Sequence, residues 1–251
     1  MIKKIRVGLV GYGKAGQAVA QVFSTDERFE LCWIARRTTI SPLHPSLDAS
    51  VTIFSSQQCS FAEILALQPV DALVDFSSRH AIYEYGEEIR KRGIILISAI
   101  SAYTEEDLTY ARQLGLDTRV LCSPNMTLGI NWLIMAAKLL RKIAPFADVE
   151  IVEQHFKEKL EVSGTANKIA EILELSGECI TSLRLGGIVG HHEVIFGFPH
   201  QTVRLTHESI RREAFGTGAA FALLQLIECK NGFYSFDDLL LRLAKVELAQ
   251  L

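Results

Sequence analysis

The sequence contains no apolar run that approaches the roughly 20 residues needed to span a bilayer; its longest such stretches are strand-length or interrupted by charge. Its opening, MIKKIR, runs straight into a strand pattern, without the apolar core and small-residue cleavage site of a secretory leader, so a cytoplasmic protein is expected. No basic stripe accompanies the net charge of −3, which argues against nucleic acid as a partner. The five cysteines (Cys32, Cys59, Cys122, Cys179 and Cys229) are odd in number and never spaced CxxC. Reduced thiols are therefore expected rather than a disulfide framework. No cysteine or histidine pair has zinc-ligand spacing, and the adjacent His191 and His192 would point to opposite faces of a strand, so no metal site is expected. Internal repeats and low-complexity linkers are also missing. What remains is a chain of 251 residues, 49% hydrophobic and 22% charged, the composition of a soluble globular protein with one large or two modest domains.

The first half alternates strand and helix signals. Short β-branched or apolar runs at 5–10, 31–35, 51–54, 72–75, 94–97 and 119–121 are separated by helical patterns at 15–23, 61–67, 81–91 and 105–114. Continuous apolar strands between helices predict a parallel sheet covered on both faces, an α/β doubly wound domain. The pattern changes after Pro124: a long apolar helix at 129–142 precedes alternating runs at 148–154, 193–198 and 202–206. That change predicts a smaller α+β domain with a mixed sheet. Helical patterns at 215–226 and 236–248 close the chain. The expected organisation is a dinucleotide-binding domain over 1–124, on which 213–251 packs back, and a substrate-binding and oligomerisation domain over 125–212.

Gly11-Tyr12-Gly13-Lys14-Ala15-Gly16 is a GxGxxG placed directly after the first strand and opening the first helix. Glycines there permit a tight turn, close approach of backbone to a pyrophosphate, and tight helix–strand packing. A glycine turn without a ligand is the alternative. The second strand ends in Ile34-Ala35-Arg36-Arg37-Thr38, with guanidiniums where an NAD-selective site usually carries Asp or Glu. Arginines at that place can bind a 2′-phosphate, so NADPH is expected as the preferred cofactor, with NADH possible. Two solvated arginines opening a surface loop are the alternative. Val74-Asp75-Phe76-Ser77-Ser78 ends the fourth strand at the same sheet edge, where ligands of open α/β sheets collect. Asp75 reads equally as a ligand contact or as a turn and cap residue.

In the second half, a β-type run delivers His155 and, four residues on, Lys159; Ser163-Gly164-Thr165 then opens a helical pattern over 165–173. Histidine donates protons near neutral pH, and a nearby lysine can hold an anionic substrate. The helix start offers N–H groups and two hydroxyls to a carboxylate; an ordinary Ser/Thr helix cap with a glycine turn, and a satisfied strand-end histidine, are the alternatives.

With these segments in order, the chain resembles the dihydrodipicolinate reductase (4-hydroxy-tetrahydrodipicolinate reductase) family along essentially its whole length. The resemblance rests on GYGKAG, VDFSS, SPNMTLGIN, VEIVEQHFKEK followed by SGTA, GGIVGHHEVIFG, THESIRREAFGTGA and GFYSFDDLL. It implies a two-domain NAD(P)H enzyme with a Rossmann-type first domain, acting in lysine and diaminopimelate biosynthesis as a homotetramer built through the sheets of the substrate domains. It further implies His155 as general acid with Lys159 beside it. Ser163, Gly164 and Thr165 would bind a substrate carboxylate. Gly11 to Gly16, Arg36, Arg37, Phe76, Ser77, Ser98, Ala99, Ile100, Ser123, Asn125, Met126 and Arg212 would lie along the cofactor. The implied reaction is hydride delivery to a cyclic enimine, with His155 protonating the substrate.

This sequence departs from the family pattern at three places. Phe156 replaces a second histidine, the loop between Lys159 and Ser163 lacks one residue and a proline, and Ser98-Ala99-Ile100-Ser101 stands where a glycine-threonine-threonine-glycine turn is usual. Ile100 removes a hydroxyl that would otherwise bond a carboxylate. A related reductase acting on another imine or enamine, and a non-catalytic NADPH-binding protein, are therefore the alternative readings.

Overall fold

The computed structural model describes residues 3–37 and 51–249. Thr38, read above with the two arginines, lies outside the described residues. In chain order the elements are β1 (Ile5–Val10), α1 (Lys14–Thr25), β2 (Phe29–Arg36), β3 (Thr52–Ser55), α2 (Phe61–Leu67), β4 (Ala72–Asp75), α3 (Ala81–Arg92), β5 (Ile95–Ser98), α4 (Glu105–Leu114) and β6 (Arg119–Cys122). They continue with α5 (Leu128–Ile143), β7 (Asp148–His155), α6 (Gly164–Ile172), β8 (Ile180–Arg184), β9 (His191–Phe198), β10 (Gln201–Glu208), α7 (Glu213–Ile227), β11 (Gly232–Tyr234) and α8 (Phe236–Leu248). No described helix is long and apolar enough to cross a membrane.

The chain divides into two compact units, one formed by Met1–Thr127 with Phe215–Leu251, the other by Leu128–Ala214. The first holds a seven-stranded, all-parallel sheet in the order β11-β6-β5-β4-β1-β2-β3. Strand order reverses between β1 and β4, which makes their carboxyl ends the place where ligands collect. One core, with Val19, Phe23, Leu223 and Leu239 around Leu9 and Val74, covers one face of this sheet. The other, with Ile64, Ile82, Tyr85 and Leu114 around Trp33 and Leu96, covers the opposite face. Both faces are thus buried, as the uninterrupted apolar strands predicted. Capping boxes at Ser60–Glu63, Thr104–Asp107 and Ser235–Asp238 start α2, α4 and α8, each satisfying orphan helix amides.

Two strands escaped the sequence reading. β11 is three residues long and pairs with β6, so the chain's last part adds a strand to the first unit's sheet between its two helices. β8, whose side chains are mostly exposed, pairs parallel with β7 in the second unit. That unit has a four-stranded mixed sheet in the order β10-β9-β7-β8. On one face, Ile151, Val194 and Phe196 pack with Ile130, Leu133 and Ile134 of α5 and Ala166 and Ile169 of α6. Strand alternation continues that covered face into polar residues: Glu153, His155 and His192 are buried there as well.

Candidate functional site

In the first unit, Gly11 and Gly16 of the fingerprint are each required for a different reason. Gly11 sits at φ +93°, and a Cβ on it would lie 2.6 Å from the backbone oxygen of Phe76. A Cβ on Gly16 would overlap the carbonyl oxygen of Gly11, so α1 is seated directly on the turn. Gly13 precedes α1 as its N-cap, carries no side-chain cap, and faces open space. Backbone can therefore approach an anion there, with the helix end behind it.

Gly11 and Gly13 line a cavity of about 420 Å³, together with Tyr12, Arg36, Arg37, Ser56, Phe76 and Ser77. The Arg36 guanidinium lies 5.7 Å over the Tyr12 ring, and its Nη1 is buried without a hydrogen-bond partner among the described residues. A buried guanidinium nitrogen is rarely left in that state, and an anionic group in the cavity would satisfy it. Ser55 Oγ donates to the Arg37 carbonyl at 3.0 Å, and the Ser56 amide to the Arg36 carbonyl at 2.8 Å, fixing the strand end. The residues present fit a nicotinamide dinucleotide.

Asp75, which the sequence left between ligand and turn residue, is turned inward. It is fully buried and accepts from the Ser77 amide at 2.8 Å, the Ser77 hydroxyl at 2.5 Å and the Tyr85 hydroxyl at 2.7 Å. It thereby holds the Phe76–Ser77 turn against Gly11. Burial pushes its carboxyl up to about 6, outweighing the lowering by Ser77 and Tyr85. The folded protein therefore binds this proton more tightly than the unfolded chain does. The corresponding stability is complete below about pH 4 and is lost as pH rises through about 6. The thermal midpoint should show this downward component between those values. Asp75→Asn should lack it, and an unaltered pH slope would contradict the assignment.

The neighbouring strand ends are tied together in the same way. Ser98 Oγ bonds the Tyr103 hydroxyl at 2.8 Å, the Ser123 amide donates to the Ser98 carbonyl, and Ser123 Oγ donates to the Asn125 carbonyl. Ile100 and Met126 are buried, while Lys14 is exposed. The Ser98 side chain is thus committed to the protein and offers only backbone to a ligand.

In the second unit, His155 ends β7, buried, with Nδ1 2.5 Å from Glu153 Oε2. Glu153 is fully buried. Burial would raise its carboxyl, but hydrogen bonds from Arg184, Ser182, His155 and the Ser163 amide prevail and hold it at about 2. An ionised carboxylate only accepts, so Nδ1 of His155 carries the proton and Nε2 is the exchanging atom. Nε2 faces Gly190, where a Cβ would come within 3.3 Å of it.

Ser163 precedes α6 but does not cap it. Its hydroxyl instead bonds His192 Nε2 at 2.8 Å. The two hydroxyls expected to cradle a carboxylate are therefore not both turned outward. His192 is pushed down to about 3, first by burial and then by His155 and its other histidine neighbours, so it is neutral near pH 7. Gly164, like Gly13, faces open space. Lys159 is half-buried, and its ammonium makes no ion pair among the described residues, which leaves a cation near the proton donor in sequence. Arg212 is exposed, between β10 and α7.

The sequence reading missed Glu153, Ser182, Arg184 and His192. Glu153 left a signal: a charged residue two before His155, on the face of the strand that also carries Ile151.

Two family models match the chain, one described as dihydrodipicolinate reductase, N-terminus, over residues 5–126, the other as dihydrodipicolinate reductase, C-terminus, over 126–240. The 4-hydroxy-tetrahydrodipicolinate reductase of Caldanaerobacter subterraneus subsp. tengcongensis is 30% identical over 250 residues, covering 90% of this chain and 94% of the relative. That of Thermosipho africanus is 30% identical over 238 residues, covering 94% and 98%. Among solved structures, the dipicolinate-bound dihydrodipicolinate reductase from Paenisporosarcina sp. TG-14 shares the fold, with a TM-score of 0.80 and 24% identity, over 93% of this chain and 98% of that one.

Proposed function

The chain belongs to the dihydrodipicolinate reductase family and is an NAD(P)H-dependent oxidoreductase, and from that premise we propose that it reduces 4-hydroxy-tetrahydrodipicolinate on the route to diaminopimelate and lysine. The observation that carries this reading is the histidine of β7, buried and oriented by an ionised Glu153, with a lysine and an uncapped helix start following it. NADPH is the proposed reductant, supported by the unpartnered Nη1 of Arg36 and the absence of an acid at the end of β2. Gly11 to Gly16 (with Tyr12, Lys14 and Ala15), Arg36, Arg37, Phe76, Ser77 and the backbone of Ser98 are its proposed contacts. Ala99, Ile100, Ser123, Asn125, Met126 and Arg212 are proposed to flank the nicotinamide.

A nicotinamide held there supplies the hydride. This chain's own residues orient and protonate: His155 delivers its Nε2 proton to the substrate and keeps its Nδ1 proton, which is hydrogen-bonded to Glu153. Lys159 neutralises substrate charge, and the helix start at Ser163, Gly164 and Thr165 receives a carboxylate. Ile100, buried and without a hydroxyl, favours one second reading, a substrate with a single carboxylate. The proposed assembly is a homotetramer through the uncovered face of the second sheet, which carries Val152 and Ile195, both half-buried, and Leu183, which is exposed. A monomer mass by light scattering would contradict it.

Expression in a strain that lacks its own reductase and requires diaminopimelate tests the function. Restored growth without the supplement is expected from the wild type and not from His155→Ala; failure of the well-expressed wild type would sink the reading. For the cofactor, Arg36→Ala with Arg37→Ala should raise KM for NADPH about 10-fold or more, the loss of a charge-assisted contact, while NADH is nearly unaffected. Equal losses for both would mean the arginines do not read the 2′-phosphate.

A further inference from the structure

The second sheet buries a carboxylate beneath the proton donor, and its partners reach further than one side chain. Strand register places Ser182 beside Glu153 and Arg184 beside His155 across β7 and β8. Glu153 accepts from Ser182 Oγ at 2.6 Å, from Arg184 Nη1 and Nη2 at 3.0 and 2.8 Å, from His155 Nδ1, and from the Ser163 amide at 3.3 Å. Two fork nitrogens on two carboxylate oxygens give the bidentate geometry that fixes orientation as well as charge.

Arg184 then leaves the pair in the opposite direction. Its Nε donates to the Lys159 carbonyl at 2.7 Å and its Nη2 to the Glu161 carbonyl at 2.8 Å. Between these carbonyls, Leu160 is 96% exposed, so burial of its side chain does not hold this loop. The guanidinium does.

We propose that Glu153 and Arg184 are a positioning pair: Glu153 fixes the tautomer and aim of His155, and Arg184 splints the loop from Lys159 to Ser163. One buried ion pair thereby sets the proton donor and the anion-holding segment in register. Neither residue touches substrate. The inference rests on the reading of His155 as general acid and goes beyond it by assigning the residues through which the donor and the loop are held. The Glu153 carboxylate and the Arg184 guanidinium compensate each other's charge within the pair.

Steady-state kinetics of the full-length protein test the pair. Glu153→Gln is expected to lower kcat about 10–100-fold, as loss of an orienting partner does, with NADPH affinity unchanged. Added to His155→Ala, it should lower kcat less than about 2-fold further, because residues acting as one unit are not additive. Arg184→Lys keeps a charge beside Glu153 but loses the fork, and should raise KM for substrate about 10-fold with a smaller change in kcat. An active His155→Ala would remove the general-acid reading itself. A depressed His155→Ala together with a normal Glu153→Gln, or full additivity of the two, would overturn the positioning role alone. If Glu153→Gln does not fold, Ser182→Ala replaces it with the same criteria, and an Arg184→Lys without the KM rise overturns the splint.

Discussion

Replacement of His155 by alanine is expected to lower kcat by about 10²–10⁴-fold, the usual contribution of a positioned acid, while the protein still folds and binds NADPH. The separation follows from where the ring sits. It ends its strand, at the limit of the buried face, and the apolar core formed by Ile151, Val194 and Phe196 does not depend on it. Glu153 retains Arg184 and Ser182 after the ring is lost, so no buried charge is left unpaired. The proposed nucleotide contacts, Arg212 apart, belong to the first unit. The measurement is kcat for the variant beside its thermal midpoint and its affinity for NADPH. A nearly unchanged kcat would take His155 out of the mechanism.

Gly11→Ala is expected to destabilise the first unit by roughly 2–5 kcal/mol, the combined order of backbone strain and overpacking, and to abolish NADPH binding. At φ +93° an L side chain is strained before any contact is considered. The new Cβ would meet Phe76 O at 2.6 Å and Ser77 N at 2.8 Å, both backbone. That backbone cannot withdraw cheaply: the Phe76 amide bonds the Val10 carbonyl at 2.8 Å, and Asp75 holds Ser77 by two hydrogen bonds. Denaturant unfolding and nucleotide titration read the two effects, and a variant that binds NADPH normally would contradict the account of this turn.

The parts of the molecule that were legible in the sequence are those set by local pattern. The run at 5–10 followed by the glycine fingerprint gave β1 and the start of α1, because the strand period and the glycine demands of the turn are short-range. The helices at 61–67 and 105–114 were read at their observed bounds, each beginning at a capping box. β8 and β11 were not legible. β8 is a sheet-edge strand with mostly exposed side chains, and β11 has only three residues, so neither builds an apolar period. The unread β8 also hid half of the histidine site, since Ser182 and Arg184 meet Glu153 only through the β7–β8 register. Likewise, His192 opposes Glu153 across β7 and β9. Ser163 shows a further limit: a Ser-Gly-Thr helix start reads as a pair of hydroxyls, but a histidine distant in sequence takes one of them.

Reduction of a cyclic imine carboxylate by this protein, with His155 as proton donor, is tested most directly by following NADPH oxidation by the purified protein with 4-hydroxy-tetrahydrodipicolinate generated in situ. Substrate-dependent oxidation by the wild type, depressed in His155→Ala, is the predicted result. NADPH bound by the wild type but left unoxidised in the presence of that substrate would contradict it.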